Sequence, residues 1–261
     1  SVVDVAGLNR VSRPIFANAA GAICGMVETQ VPVSEDKPII AASMFGNTTD
    51  CINQAKVILE EAGYEVLVFH ATGTGGRAME SLIEDGLVAG VLDLTTTEWA
   101  DEHVGGILAA GPTRLESAAR NGVPAVIAPG CLDMVNFGPR DTIPKKFADR
   151  LFYEHNPQIT LMRTTAEECA ELGCILSEKA NLSSGPVAVL FPTEAISVIS
   201  ASGQPFHDPT ADQALLEAIK TNLRKDIGLH EIPTTINDVE FSRIAAETLL
   251  DFLQVETTES V

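Results

Sequence analysis

The sequence predicts an α/β protein: a doubly wound, mostly parallel sheet of about five to six strands with helices on both faces, Rossmann-like in plan. Three observations carry this. Residues 39–43, 64–69, 88–92, 124–128 and 186–191 are short apolar runs without strict polar alternation, the pattern of strands buried on both faces. Between them lie segments with helical spacing, such as 51–63 with apolar residues at 52, 55, 58, 59 and 62. Strand and helix patterns alternate, which selects parallel crossovers over hairpins. No antiparallel hairpin is expected in the series.

The elements follow in order. Residues 1–27 are rich in small residues, including Ala17-Asn18-Ala19-Ala20-Gly21-Ala22. They suit a closely packed helix, with Asn18 as an alternative polar contact. Residues 32–38 read as a polar linker between two prolines. The first strand, 39–43, leads through Phe45-Gly46-Asn47-Thr48-Thr49 to the helix of 51–63, which Gly63 stops. The second strand, 64–69, is followed by Gly73-Thr74-Gly75-Gly76-Arg77 and a helix over 78–87. The third strand, 88–92, ends in Asp93-Leu94-Thr95-Thr96-Thr97-Glu98. A loop and helix occupy 105–122, and the fourth strand, 124–128, runs into Pro129-Gly130-Cys131-Leu132-Asp133. A helix over 164–182, a fifth strand, a helix over 208–225, a last strand within 227–236 and a closing helix over 239–252 complete the fold. The predicted organisation is a helical segment and linker (1–37), one α/β ligand-binding domain (38–253) and a disordered tail (254–261).

Composition limits the function. The 261 residues carry 36 acidic and 17 basic side chains, a formal net charge of −19. Nucleic-acid backbones and anionic membranes need the opposite sign, so neither is an expected partner. No apolar run reaches the length of a membrane span. The start has neither the basic nor the apolar region of a signal peptide, and it lacks Met, which reads as a processed or cut chain. The five cysteines, at 24, 51, 131, 169 and 174, show neither a disulfide nor a zinc spacing. Reduced thiols in a cytoplasmic protein are expected.

Ligands of such sheets bind beyond the carboxyl ends of the strands. Each of the first four strands here is followed by small hydroxyl, amide or glycine residues. The glycines at 73, 75 and 76, opening a helix, form an anion-accepting turn, although the spacing matches neither the dinucleotide fingerprint nor a P-loop. The expected ligand contacts are Phe45, Gly46, Asn47, Thr48, Thr49, Gly73, Thr74, Gly75, Gly76, Arg77, Thr95, Thr96, Thr97, Glu98, Gly130 and Asp133. Several hydroxyls have an alternative role as helix caps. Arg77 could fork onto a phosphate or pair with Glu80 or Glu84; Arg114 is a second candidate. Cys131, His70 and Asp133 are candidate nucleophile, base or acid. Asp93 and Asp133 could hold Mg²⁺. His207 is placed near the same cleft, with Asp208 as a helix cap. Trp99 either stacks an adenine or packs, and His155 and His230 belong to no visible constellation.

These same strings carry a resemblance. The stretches from Phe45, Gly73, Asp93, Pro129 (through Met134-Val135-Asn136-Phe137-Gly138) and Phe206-His207-Asp208-Pro209 are similar to the Tm-1-like ATP-binding domain family (UPF0261). The match runs over nearly the whole chain and corresponds to the second, C-terminal half of the family's domain. The resemblance implies binding of ATP, with Mg²⁺, and a missing N-terminal half as a partner. The expected function is nucleotide binding, with phosphates on the glycine and threonine loops. The alternative is a metabolic enzyme, a hydrolase or lyase, acting on a small phosphorylated or carboxylate substrate at the same place. A homo-oligomer is expected. No Lys stands in the glycine turn, which speaks against P-loop ATP hydrolysis.

Overall fold

A computed structural model describes residues 7–30 and 36–259. The predicted Asp4–Ala6 start, most of the 32–38 linker and residues 260–261 lie outside them. The chain divides into two units, Ser1–Asp36 and Lys37–Val261. The first holds one helix, α1 (Ser12–Glu28). Its entry turn is fixed by Asn9, whose side-chain oxygen accepts from the amides of Val11 and Ser12.

The second unit is the α/β body. Its main sheet contains β1 (Ile39–Met44), β2 (Glu65–His70), β3 (Gly90–Thr95), β4 (Ala125–Gly130), β8 (Val187–Pro192) and β9 (Gly228–Ile232). The strand order is β2-β1-β3-β4-β8-β9, and every pairing is parallel. β3 and β4 are buried along their whole length, which explains why the sequence shows continuous apolar runs there.

The pleat sends alternate side chains to two cores. Ile40, Ala42, Leu92, Leu94, Val126 and Leu190 pack beneath α2 (Thr49–Glu61) and α8 (Val239–Glu259). Ala41, Val91, Ala125, Ile127 and Val189 pack beneath α3 (Thr74–Glu84), α4 (Glu98–Val104), α5 (Glu116–Asn121), α6 (Ala166–Asn181) and α7 (Pro209–Asn222). α8 runs past the expected end at 252.

Two differences from the predicted elements matter. First, the chain does contain an antiparallel sheet. β5 (Met134–Phe137), β6 (Phe152–Asn156) and β7 (Ile159–Arg163) pair in the order β5-β7-β6. Asn156-Pro157-Gln158 makes the β6–β7 turn, the Asn156 side chain accepting from the amides of Gln158 and Ile159. Second, α3 starts at Thr74, so Gly75 and Gly76 form its first turn rather than a loop before it. Gly73, at φ +81°, is the N-cap. A Cβ there would lie 2.7 Å from the Ala109 carbonyl oxygen, so only glycine fits.

Candidate functional site

The winding direction of the sheet reverses between β1 and β3, the position where ligands of doubly wound sheets bind. The loops at their carboxyl ends are stitched together by their own hydroxyls. Ser43 Oγ donates to Asp93 Oδ1 (2.6 Å) and accepts from the Thr95 amide (2.9 Å). Thr48 and Thr95 share a hydroxyl–hydroxyl bond of 2.8 Å, and Thr96 Oγ1 donates to the Ala128 carbonyl. Thr48, Thr95, Thr96 and Thr97 are fully buried. Of the hydroxyls expected at the ligand, these four therefore sit inside the fold. Thr49 Oγ1 bonds back to the Phe45 and Gly46 carbonyls. Neither Thr48 nor Thr97 caps its helix through the side chain.

The glycine turn holds an internal anion. The amides of Gly73 and Gly76 both donate to Glu98 Oε1, at 2.6 and 3.1 Å. A Cβ on Gly76 would fall 2.2 Å from the Glu98 carboxylate. Glu98 is itself anchored by Arg114 Nε at 2.6 Å. Arg114, 1% exposed, also pairs with Asp93 through two nitrogens and with Glu80. Glu80 in turn accepts the Leu115 and Ser117 amides, which holds Leu115 at φ +74°. One guanidinium thus ties β3, α3, α4 and α5 together.

A cavity of about 290 Å³ opens at the carboxyl ends of β1 and β2. Phe45, Gly46 and Asn47 from the end of β1 and Thr72 from the end of β2 form one wall. Leu108 and four residues of the antiparallel sheet, His155, Asn156, Ile159 and Leu161, form the other. The lining is mostly apolar, with amide, hydroxyl and imidazole groups at intervals, as ligand pockets usually are. Asn47 is fixed from behind, its backbone carbonyl accepting from Asn237 Nδ2 at 2.9 Å. Next to Thr72, the exposed first turn of α3 carries Thr74 and Arg77; Arg77 donates to the Ala109 carbonyl and to Thr74 Oγ1, not to Glu80 or Glu84.

The candidate catalytic residues do not assemble. His70 ends β2 and Cys131 follows β4, with β1 and β3 between. Three inter-strand spacings, roughly 14 Å, separate those ends. Cys131 is fully buried at φ +61° among Met134, Leu161, Ile199 and Phe206. Burial, with Asp133 nearby, pushes its thiol well above the ordinary range, so it is held as a thiol. Asp133 is also fully buried. Its Oδ2 accepts from Ser197 Oγ at 2.7 Å while Oδ1 has no partner. Desolvation pushes it up to about 6, against the pull of Arg163 and the Ser197 bond.

Mg²⁺ does not fit the expected donors. Asp93 gives both oxygens to Arg114 and Ser43, and a guanidinium already supplies the counter-charge. Among the described residues no three His, Cys, Asp or Glu side chains converge as metal ligands. Trp99 is packed, 7% exposed, with its indole N–H on the Arg114 carbonyl and Lys179 over the ring. No described helix is long and apolar enough to cross a membrane.

The sequence puts His155 in no constellation and gives Asn156, Ile159, Leu161 and Leu108 no role, yet all five line the cleft. The local signal is an Asn156-Pro157 turn pair between Phe152-Tyr153 and Ile159-Thr160-Leu161-Met162.

Residues 37–253 match the model of the uncharacterised protein family UPF0261 C-terminal domain, and residues 1–32 match that of its N-terminal domain. The chain is 50% identical to a UPF0261 protein of Clostridium tetani, covering 97% of this chain and 63% of that protein. It is 41% identical to the ToMV resistance protein Tm-1(GCR237) of Solanum lycopersicum, covering 96% of this chain and 34% of that protein. The chain thus spans less than two thirds of these relatives. Among solved structures, a thioesterase domain from the curacin biosynthetic pathway aligns over 83% of this chain and 92% of its own. Its TM-score is 0.40 at 10% identity, too slight a likeness to bear on activity.

Proposed function

The chain belongs to the UPF0261 family, and from that premise we propose that it is a ligand-binding α/β domain whose cleft at the ends of β1 and β2 takes a nucleotide, ATP being the first to test. One observation carries the reading: a mostly apolar slot of about 290 Å³ at the carboxyl ends of β1 and β2, walled by Phe45, Gly46 and Asn47. The slot suits a flat heteroaromatic ring. Phe45, Leu108, Ile159 and Leu161 offer apolar area, and Asn47, Thr72, His155 and Asn156 offer hydrogen bonds to ring nitrogens.

The phosphates cannot use the Gly73 and Gly76 amides while Glu98 holds them. They would lie instead over the outward side of the first turn of α3, where Thr74 and Arg77 are exposed. Mg²⁺ would arrive with the nucleotide, since among the described residues no three His, Cys, Asp or Glu side chains converge as ligands.

The rival reading, a hydrolase or lyase at this cleft, needs a nucleophile or base that touches the ligand. Of the lining residues only His155 has an imidazole that could reach a bound ligand, and Cys131 is sealed in the core.

Calorimetric titration with ATP and with adenosine tests the proposal. ATP should bind the unaltered chain, and Ile159→Trp, which fills the slot, should abolish binding of both ligands. Arg77→Ala should weaken ATP by about tenfold and leave adenosine unchanged. Cys131→Ala should change neither. Binding that survives Ile159→Trp would overturn the reading.

A further inference from the structure

The segment after α4, residues 105–109, reads Gly-Gly-Ile-Leu-Ala and has no polar side chain with which to fix itself. Its position is set by one buried residue, Asp101 of α4. The Asp101 backbone carbonyl accepts from the amides of Gly105 and Gly106, at 2.9 and 2.8 Å. Its Oδ1 accepts from the amides of Asn136 (3.0 Å) and Leu108 (3.4 Å), and its Oδ2 from Asn136 Nδ2 (2.6 Å). The Asn136 carbonyl in turn accepts from the Ile107 amide. The fit is close: a Cβ on Gly106 would fall 1.7 Å from Asp101 Oδ1.

The cleft uses what Asp101 holds. Leu108 lines the cavity. The Ala109 carbonyl receives Arg77, the residue placed at the phosphates. A Cβ on Gly73 would meet the Leu108 and Ala109 carbonyls at 3.0 and 2.7 Å, so the segment also lies against the turn that opens α3.

The groups on the carboxyl are all N–H donors, and such bonds are roughly twice as strong to a carboxylate as to a neutral acid. A proton on Asp101 therefore loosens them, the long Leu108 bond first. Desolvation pushes this carboxyl up to about 7, against the pull of Asn136 and Leu108, which brings the exchange into the neutral range. The charged neighbours do not compete for it. Glu98, on the same helix, raises it further and is bound to Arg114. From α6, packed against α4, Glu171 is paired with His103 and Lys179 lies over Trp99. β5 and the 105–109 segment carry no charged side chain.

On the nucleotide reading of the cleft, we propose that Asp101 is a positioning residue that couples ligand binding to pH. Its carboxylate holds Leu108 and the anchor of Arg77 in the arrangement that binds, and its protonated form releases that wall. By linkage, a bound ligand expels the proton from Asp101.

Two measurements on the full chain test this. The first needs no ligand: in nitrogen-edited NMR spectra from about pH 5.5 to 8.5, the Leu108 and Asn136 amide signals should move together through one midpoint. Asp101→Asn should abolish that movement. The second is calorimetric titration with adenosine, which keeps one charge state over this range. Its affinity should be about fivefold weaker at the acid end than at the basic end. In Asp101→Asn it should stay at the weaker value throughout. His155→Gln, which removes the imidazole from the cleft, should keep the shape of the profile. A Leu108 signal that ignores pH, an adenosine affinity independent of pH, or a pH dependence that survives Asp101→Asn would each overturn the proposal. If adenosine failed to bind while the Leu108 signal still followed Asp101, the nucleotide reading would fall and the pH-dependent wall would stand.

Discussion

Arg114 is the residue on which the edge of the sheet depends. It faces Asp93, Glu98 and Glu80 with no access to water, so removing it leaves three buried carboxylates without their cation. Arg114→Met should cost about 3–5 kcal/mol, measured by urea unfolding with an unchanged denaturant slope. Asp101 makes a different case. Desolvation pushes its carboxyl up to about 7, against bonds from Asn136 and Leu108, with Glu98 raising it further. The folded protein therefore holds a proton that the unfolded chain, with an aspartate near 3.9, has already lost. This contribution to stability is fully present below about pH 4 and is lost as pH rises towards 7. Asp101→Asn should flatten that slope, because Asn136 Oδ1, buried without a partner, can accept from the new amide once its own amide turns. Thermal unfolding at intervals from pH 4 to 8 would show it, and an unaltered slope would count against it. Neither residue's role was legible in the sequence. Arg114 reads there as a possible anion contact, because nothing in linear order brings together carboxylates from β3, α3 and α4.

At the scale of elements, the glycine turn illustrates how a correct motif can serve another partner. A glycine run opening a helix does bind an anion here, but the anion is the chain's own Glu98. Gly76→Ala places a methyl inside that carboxylate. It should cost roughly 3 kcal/mol, among the large effects of a single substitution, and differential scanning calorimetry should record the drop. Cap chemistry was more readable. Asp208, expected as a cap, accepts from the amides of Thr210 and Ala211 at 3.1 Å. Thr165 and Glu168 form a reciprocal capping box at α6. Caps are local, within three residues, so their partners are adjacent in the sequence. The hairpin of β6 and β7 was not legible because Phe152-Tyr153-Glu154-His155 lacks the strict alternation that marks a half-buried strand.

At the scale of the molecule, the net charge of −19 sets a field that any polyanionic ligand must cross. Raising ionic strength from about 0.01 to 0.15 M should strengthen ATP binding, since screening removes more long-range repulsion than short-range attraction at Arg77. Titrations at the two salt concentrations check this, and a weaker affinity at high salt would point to a local basic site that the cleft lacks. The parallel sheet and its alternation with helices were determined by the sequence itself. Burial on both faces imposes apolar runs, helical packing imposes its spacing, and both are local periodicities. Tertiary structure alone decided which loop residues face a ligand. The threonines of two loops turned inward, Thr48 and Thr95 bonding each other, Glu98 entered the glycine turn from another strand's loop, and β6 and β7 supplied the outer wall of the cleft. Each of these depends on groups that lie far apart in the chain, and a side chain's choice between ligand and fold is made only when its distant neighbours arrive.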